Sequence, residues 1–267
     1  MDIIFFGNTK YSNIGLKAIQ KVYSISLVVT ISQSPVSKLA NELKISVLET
    51  NKLDENALKK IKSINPDFFV VEDYGLILPP EALSIPKYAP LNIHHSLLSK
   101  YRGPSPAPSA ILNGDKISGV TIIRMVTEVD AGDILAQTEY ELKDDETTDS
   151  LLTRLNTMGA ELLIDVINQY LEGSERAVPQ DNTKTTHTKR FAKKDGYFDL
   201  SNPPNPNLLD RMIRAYYPWP GVWTKWNNKI VKLLPGGMLQ MEGKKSISWS
   251  DFLNGYPNFP LRQVQLV

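Results

Sequence analysis

Short β-branched and aromatic runs alternate with amphipathic stretches along roughly the first 170 residues of the chain. This alternation is typical of a parallel β-sheet with helices on its faces. We therefore predict an α/β protein with a Rossmann-like, doubly wound and mostly parallel sheet, followed by a small, mainly β C-terminal domain. The predicted strands are Asp2–Phe6, Ile25–Ile31, Asp67–Glu72, Leu91–His94, Val120–Met125 and Ile134–Glu141.

Helical periodicity lies between the early strands and in a long stretch after the last one. The predicted helices are Ile14–Lys21, Val36–Leu43, Glu55–Ile64, Thr148–Leu171 and Leu208–Tyr216. Polar, lysine-rich residues follow the long helix and favour a linker, and Gly236-Gly237 predicts a turn between short strands. We place a large domain at residues 1–178, a linker at 179–200 and a truncated C-terminal domain at 201–267.

Composition excludes several kinds of site. The chain has no cysteine and three histidines, so disulfides and thiolate chemistry are excluded and we expect no metal centre. A net charge of +1 gives no global attraction to nucleic acid. The amino terminus has the pattern of a first strand, and no apolar run is long enough to span a membrane. We therefore expect a cytoplasmic monomer with no membrane partner.

Candidate chemistry lies at the strand ends, because doubly wound sheets bind ligands beyond the carboxyl ends of their strands. Asn92 and His94 are two residues apart on one strand, so their side chains point the same way. An amide can donate to an oxyanion that forms on an attacked carbonyl, and an imidazole beside it can move a proton. Asp130, between two predicted strands, is the candidate carboxylate. The same residues also fit structural hydrogen bonds and a turn, so their spacing alone leaves the function open.

A longer pattern surrounds these residues. Its segments read LNIHHSLLSKYRGPSP at 91–106, GVTI at 119–122, VDAGD at 129–133 and YGLILP at 74–79. Together they closely resemble the folate-dependent formyltransferase family, over roughly the first two thirds of the chain. The resemblance makes residues 1–178 the catalytic domain.

The resemblance implies that Asn92, His94 and Asp130 are the catalytic trio and that 10-formyltetrahydrofolate is the formyl donor. Asn92 and His94 then stabilise the tetrahedral oxyanion formed when a primary amine attacks, while Asp130 keeps the imidazole charged and assists proton transfer. No metal is needed for this chemistry. The folate is expected along two segments, whose residues are Asp73, Tyr74, Gly75, Leu76 and Leu78, and Ser96, Leu97, Leu98 and Ser99.

Three places differ from the family's usual pattern. Ser99 stands where a proline is usual, His95 where a small residue is common, and Glu72-Asp73 where small or apolar residues are common. Because side chains alternate along a strand, His95 should face away from Asn92 and His94. Asp73 is expected either to bond the pteridine or to be a solvated strand-end acid, and we favour the second.

The carboxyl-terminal third bears on the acceptor amine. Arg214–Trp223 and Gln240–Gly255 resemble the two ends of the second domain of methionyl-tRNA formyltransferases, so we predict methionyl-tRNA as the acceptor. Much of the middle of that domain is missing. The segment Ser32–Pro35 is also short and uncharged where those enzymes carry a basic insertion.

Arg102 beside the crevice, and Lys189 and Arg190 in the linker, are candidate contacts to tRNA phosphates. Each also fits a structural or solvated role. Three other functions stay open: a sugar-nucleotide amine N-formyltransferase, which the lost basic insertion favours; a folate deformylase, which uses water as acceptor; and a non-catalytic folate- or RNA-binding module, which an intact trio disfavours.

Overall fold

The structure, a computed structural model, describes residues 1–261 of the chain. The chain forms two compact units. The first unit comprises Met1–Pro106, Gly119–Tyr140 and Leu152–Thr188, and the second comprises Ala107–Ser118, Glu141–Leu151 and the described residues from Lys189 onward. The stretch interpreted as a linker is therefore divided between the two units, with the boundary after Thr188.

A seven-stranded sheet forms the centre of the first unit. Its strands are β1 (Ile3–Gly7), β2 (Ile25–Thr30), β3 (Val47–Glu49), β4 (Phe68–Glu72), β5 (Ala89–His94), β6 (Ile117–Arg124) and β7 (Ile134–Glu141). Their order is β3-β2-β1-β4-β5-β6-β7. The pairs from β3 to β5 are parallel, whereas β6 runs antiparallel to β5. The predicted mostly parallel, Rossmann-like sheet is confirmed.

Eight α-helices lie in residues 1–261: α1 (Ser12–Gln20), α2 (Pro35–Glu42), α3 (Glu55–Ser63), α4 (Pro80–Leu83), α5 (Pro106–Asn113), α6 (Thr148–Glu172), α7 (Pro206–Ala215) and α8 (Trp249–Gly255). Side-chain caps start four of them, α2, α3, α7 and α8. The Ser34 hydroxyl accepts a hydrogen bond from the Ser37 amide at the start of α2, and the Asp54 carboxylate accepts one from the Ala57 amide at the start of α3.

Both faces of the parallel strands β1, β2, β4 and β5 are buried, as expected for parallel strands covered by helices. Alternate residues of β1 point to opposite faces, so that Ile3 and Phe5 belong to one apolar cluster and Ile4 and Phe6 to the other. Helix α6 contributes to the first cluster with Leu163, Val166 and Ile167. With both faces apolar, polar side chains collect at the strand ends.

The second unit contains an antiparallel sheet with the order β11-β10-β9-β8. Its strands are β8 (Val222–Trp226), β9 (Lys229–Leu234), β10 (Met238–Met241) and β11 (Ile247–Ser248). The predicted turn at Gly236-Gly237 joins β9 to β10. An aromatic cluster closes this small domain, with ring centroids 4.8–5.7 Å apart among Trp226, Phe252, Tyr256 and Phe259.

The predicted strands and helices are all present, with ends that differ by up to three residues. The sequence pattern missed β3, α4, α5 and α8, which are short. A strand of three residues, such as β3, has too few positions to show an alternation. None of the helices within residues 1–261 is long and apolar enough to cross a membrane.

Candidate active site

Asn92 and His94 lie at the end of β5, which is placed between β4 and β6 in the sheet. Strand β4 ends alongside, where Glu72 pairs with Ile93. The two predicted strand exits therefore meet at one edge of the sheet. This is the edge where doubly wound proteins bind their ligands.

The His94 imidazole is buried, and a hydrogen bond holds one of its two nitrogens. Its Nε2 lies 3.0 Å from the carbonyl oxygen of Tyr101, so Nε2 carries a hydrogen and donates it there. Its Nδ1 lies 3.6 Å from Oδ1 of Asp130. Because this separation is longer than a hydrogen bond, Nδ1 is not bonded directly to the carboxylate, and a third polar group beside the pair can contact both atoms. The ring is thus oriented with Nδ1 available for proton exchange.

Asp130 is fixed from several directions. Its backbone has a φ of 53°, and its Oδ2 accepts a 2.7 Å hydrogen bond from the amide of Gly103. The side-chain amide of Gln180 donates to the carbonyl oxygens of Asp130 and Gly132, both at 2.7 Å. Gly132 is required here because a Cβ would stand 1.7 Å from the carbonyl oxygen of Arg124. These contacts aim the free lone pairs of Asp130 towards His94.

The Asn92 side chain is half-buried, and its amide has no hydrogen-bond partner within residues 1–261. It projects from the same side of β5 as His94, two residues away. An amide that is free to donate is suited to stabilising an oxyanion. The structure therefore brings Asn92 and His94 together on one strand and places Asp130 against His94.

The loop after β5 is pinned by two side chains that the sequence did not single out. The Thr121 hydroxyl accepts from the Leu98 amide at 3.2 Å and donates to the Ser96 carbonyl at 2.6 Å. The Gln137 side-chain amide donates to the Leu98 carbonyl at 2.9 Å and to Thr121 Oγ1 at 2.7 Å. The Leu98–Ser99 peptide bond is cis. Leu98 is buried and Leu97 is half-buried, so the segment offers an apolar wall with a fixed backbone.

Residues 73–78 follow β4 and place their backbone groups and the Asp73 side chain at the same edge of the sheet. The Tyr74 ring packs 5.4 Å from Phe6 in the core, and burial raises the pKa of Tyr74 to about 12. The Asn8 side-chain amide donates to the Tyr74 carbonyl and so fixes this backbone. The other folate candidates of the segment differ in burial: Gly75 is exposed, Leu76 and Asp73 are half-buried, and Leu78 is buried.

Arg102 has its guanidinium inside the protein, with only 4% of the residue exposed. Its Nε and Nη2 donate to Oε1 of Gln180 at 3.0 and 2.8 Å, and Nη2 also donates to Oδ1 of Asn182 at 2.9 Å. Nη1 lies 3.7 Å from Oε1 of Glu128. These contacts favour a loop-stabilising role for Arg102 over a phosphate contact.

Lys189 and Arg190 belong to the second unit and are exposed. The Lys189 ammonium lies 3.3 Å from Oδ1 of Asp195. An exposed ion pair of this kind is weak and is easily replaced by another anion. The exposure of both residues fits a phosphate contact as well as a solvated face.

Sequence reasoning missed the residues that fix the site loops. Gln180 joins the Arg102 guanidinium to the backbone of Asp130, and Thr186 accepts a 2.8 Å hydrogen bond from the Tyr101 amide. Both lie in the polar stretch that was interpreted as a linker. No local pattern distinguishes them there, because their partners lie 50 and 85 residues away in the chain.

Two family models match this chain. The one described as "Formyl transferase" matches residues 17–167, and the one described as "Formyl transferase, C-terminal domain" matches residues 192–236. A "Methionyl-tRNA formyltransferase" of Clostridium novyi (strain NT) is 35% identical over 258 residues, which cover 92% of this chain and 83% of the relative. One of Thermodesulfovibrio yellowstonii is 35% identical over 251 residues, which cover 89% and 80%.

Solved structures share the architecture. A sugar 3N-formyl transferase, solved in the presence of dTDP and 5-N-formyl-THF, superposes with a TM-score of 0.64 over 92% of this chain and 99% of that one. The two sequences are 20% identical. At this identity the likeness shows a common fold and does not extend to the acceptor.

Proposed function

Because the chain belongs to the formyltransferase family, we propose that it transfers the formyl group of 10-formyltetrahydrofolate to the amino group of methionyl-tRNA. The observation that carries the proposal is the free amide of Asn92 on the same strand face as His94, with Asp130 3.6 Å from His94 Nδ1. The two relatives named above, each 35% identical over most of their length, support the choice of acceptor. The proposal includes a monomeric, cytoplasmic enzyme with its catalytic domain at residues 1–178.

Asn92 supplies the oxyanion donor in this mechanism. When the amine attacks the formyl carbon, negative charge develops on the formyl oxygen, and the free Asn92 amide donates to it. The Nδ1 atom of His94 faces the same space and takes up the proton that the attacking amine loses. It returns this proton to N10 of the folate as the bond between N10 and the formyl carbon breaks, so that tetrahydrofolate leaves. Asp130 stabilises the resulting imidazolium, because its carboxylate lies beside Nδ1 and is itself held by the Gly103 amide.

The residues at the sheet edge fit a folate. The backbone of residues 73–78 is fixed through Asn8, and the backbone of residues 96–99 is fixed through Thr121 and Gln137. These fixed peptide groups can bond the polar edge of a pteridine, while Leu98 supplies an apolar wall. The donor supplies the formyl group, and the chain's part is to hold it against Asn92 and His94.

A specific observation favours a second candidate, an amino-sugar N-formyltransferase. The segment Ser32–Pro35, which follows β2, is short and uncharged in sequence, but an acidic side chain lies against it. The Glu49 carboxylate accepts hydrogen bonds from the hydroxyls of Ser32 and Ser37. These hydrogen bonds hold the pKa of the Glu49 carboxyl below its usual value, so the segment carries negative charge. Such a loop repels tRNA phosphates instead of binding them.

One assay separates the two acceptors. Purified protein and formyl-labelled 10-formyltetrahydrofolate are incubated with methionyl initiator tRNA or with nucleotide-linked amino sugars, and incorporation of label is followed. We expect label in methionyl-tRNA and none in the same tRNA without methionine. Label in an amino sugar but not in methionyl-tRNA would replace our proposal with the second candidate.

A further inference from the structure

The mechanism uses His94 and leaves its neighbour His95 unexplained. His95 is 4% exposed, and its Nδ1 lies 3.4 Å from Oδ1 of Asp73. The neighbouring histidines therefore point to two different aspartates: His94 to Asp130 and His95 to Asp73. The Asp73 side chain is 20% exposed and paired with His95, so it is only partly solvated at the strand end.

His95 is a neutral hydrogen-bond donor at physiological pH. Burial lowers the pKa of its imidazole; the charge of Asp73 opposes this effect, the neighbouring His94 adds to it, and Asn156 opposes it. A neutral imidazole has one N–H. Because Nδ1 faces a carboxylate oxygen, the hydrogen is on Nδ1 and is directed to Asp73.

Asp73 is held on both sides and still has acceptor capacity. It follows β4 directly with a φ of 49°. Its Oδ1 faces His95, and its Oδ2 accepts from the Thr9 hydroxyl at 3.3 Å. A carboxylate has about four lone-pair sites on its two oxygens, so about two stay open. With one fifth of the side chain exposed, these can reach a ligand at the sheet edge.

Glu72, the residue before Asp73, differs from it in burial and in hydrogen bonding. Its carboxyl is fully buried, and neither oxygen has a hydrogen-bond partner within residues 1–261. Burial raises the pKa of Glu72 well above 4.5, and the charge of Asp73 raises it further. The negative charge at this strand end therefore belongs to Asp73.

We propose that Asp73, positioned by His95 and Thr9, binds the 2-amino-4-oxo edge of the folate pteridine by accepting hydrogen bonds from its ring N3–H and 2-amino group. This inference rests on the proposed function, since it takes a folate as the ligand. The edge offers two parallel N–H donors, which match the two oxygens of one carboxylate. His95 acts as a positioning residue: it touches Asp73 and not the folate.

The test measures binding of 5-formyltetrahydrofolate and of its 2-desamino-2-methyl analogue by calorimetry. We expect the wild type to bind the analogue about tenfold or more weakly, because removing one partner of a charge-assisted hydrogen bond costs this much. The Asp73→Ala variant should bind 5-formyltetrahydrofolate about tenfold or more weakly and distinguish the two ligands by less than about threefold. Glu81→Gln, which alters an exposed acid on α4, is the matched control and should behave as wild type.

The role of His95 is tested by conservative rescue. His95→Ala should weaken binding several-fold, and His95→Gln, which keeps an N–H donor, should restore most of it. Thermal unfolding of both variants shows whether the fold is kept. A purely structural role of His95 predicts no change in the discrimination between the two ligands, whereas a positioning role predicts a loss of it. An Asp73→Ala variant that still prefers 5-formyltetrahydrofolate over the analogue as strongly as wild type would overturn the inference.

Failure of the proposed function has a different signature. A wild type that binds 5-formyltetrahydrofolate with the expected discrimination but does not formylate methionyl-tRNA contradicts the acceptor and supports the assignment of Asp73. A wild type that binds neither ligand overturns the assignment as well.

Discussion

The Nδ1 atom of His94 lies 3.6 Å from Oδ1 of Asp130, and each of the two side chains forms a hydrogen bond to the backbone through its other polar atom. Nε2 of His94 donates to the Tyr101 carbonyl, and Oδ2 of Asp130 accepts from the Gly103 amide. The gap between them is therefore set by the backbone and not by their mutual attraction. An amine or a water beside the pair can contact both atoms, which is what proton transfer during formyl transfer requires.

Replacing the Asp130 carboxylate by an amide tests this arrangement. Asp130→Asn keeps the shape and the backbone contact but removes the charge that stabilises the imidazolium. We expect kcat for formyl transfer to fall roughly 10²-fold with little change in KM for either substrate. Asp133→Asn, on the same loop but paired with Arg124 at the surface, should stay within about twofold of wild type. Equal effects of the two substitutions would contradict the role of Asp130.

Gln180 should act on catalysis at a distance. It connects the Arg102 guanidinium to the carbonyl oxygens of Asp130 and Gly132. Gln180→Ala removes these bonds and loosens the loop that aims Asp130, so we expect a fall in kcat of about tenfold, smaller than that of Asp130→Asn. The double variant Gln180→Ala/Asp130→Asn should then be no slower than Asp130→Asn alone. Additive losses would show that Gln180 does not act through Asp130.

Glu72 should make stability depend on pH in a definite direction. Its pKa is raised in the folded protein, so the folded state holds a proton that the unfolded chain loses above about 4.5. The wild type therefore loses free energy of unfolding as pH rises above this value, by at most about 1.4 kcal/mol per pH unit. Glu72→Gln has no such proton, so its Tm relative to wild type should increase with pH and show no such trend below 4. A constant difference in Tm from pH 4 to 8 would contradict the buried, protonated carboxyl.

Gly15 and Glu72 should be coupled. A Cβ at Gly15 of α1 would stand 2.0 Å from Oε2 of Glu72, whose side chain is fully buried and has little room to move. Gly15→Ala in a helix normally stabilises by about 0.5–1 kcal/mol. Here we expect it to destabilise by about 1–3 kcal/mol through overpacking. In a Glu72→Ala background the normal sign should return, as measured by urea unfolding of all four proteins; stabilisation in both backgrounds would place the carboxyl elsewhere.

Local pattern predicted the sheet, the main helices and the shared face of Asn92 and His94, because strand alternation fixes which way neighbouring side chains point. Asp130 is a candidate carboxylate from its place between two predicted strands, but no local rule connects it to His94, and only the resemblance makes it the third member of the trio. The contacts that make the site rigid could not be predicted, since Gln180 and Thr186 meet partners far away in the chain. The same holds for His95: alternation indicates that it turns away from His94, but only the adjacent strand end shows that Asp73 receives it.

We propose that Asn92 and His94 carry formyl transfer from 10-formyltetrahydrofolate to methionyl-tRNA. The most direct test of this claim is the single-turnover rate of that transfer for wild type, Asn92→Ala and His94→Ala, with Asn51→Ala in an exposed loop as the control. We predict that the first two variants lose roughly 10²-fold or more in rate, as for removal of an oxyanion donor, while the control matches wild type. Rates for Asn92→Ala and His94→Ala within about threefold of wild type would contradict the claim.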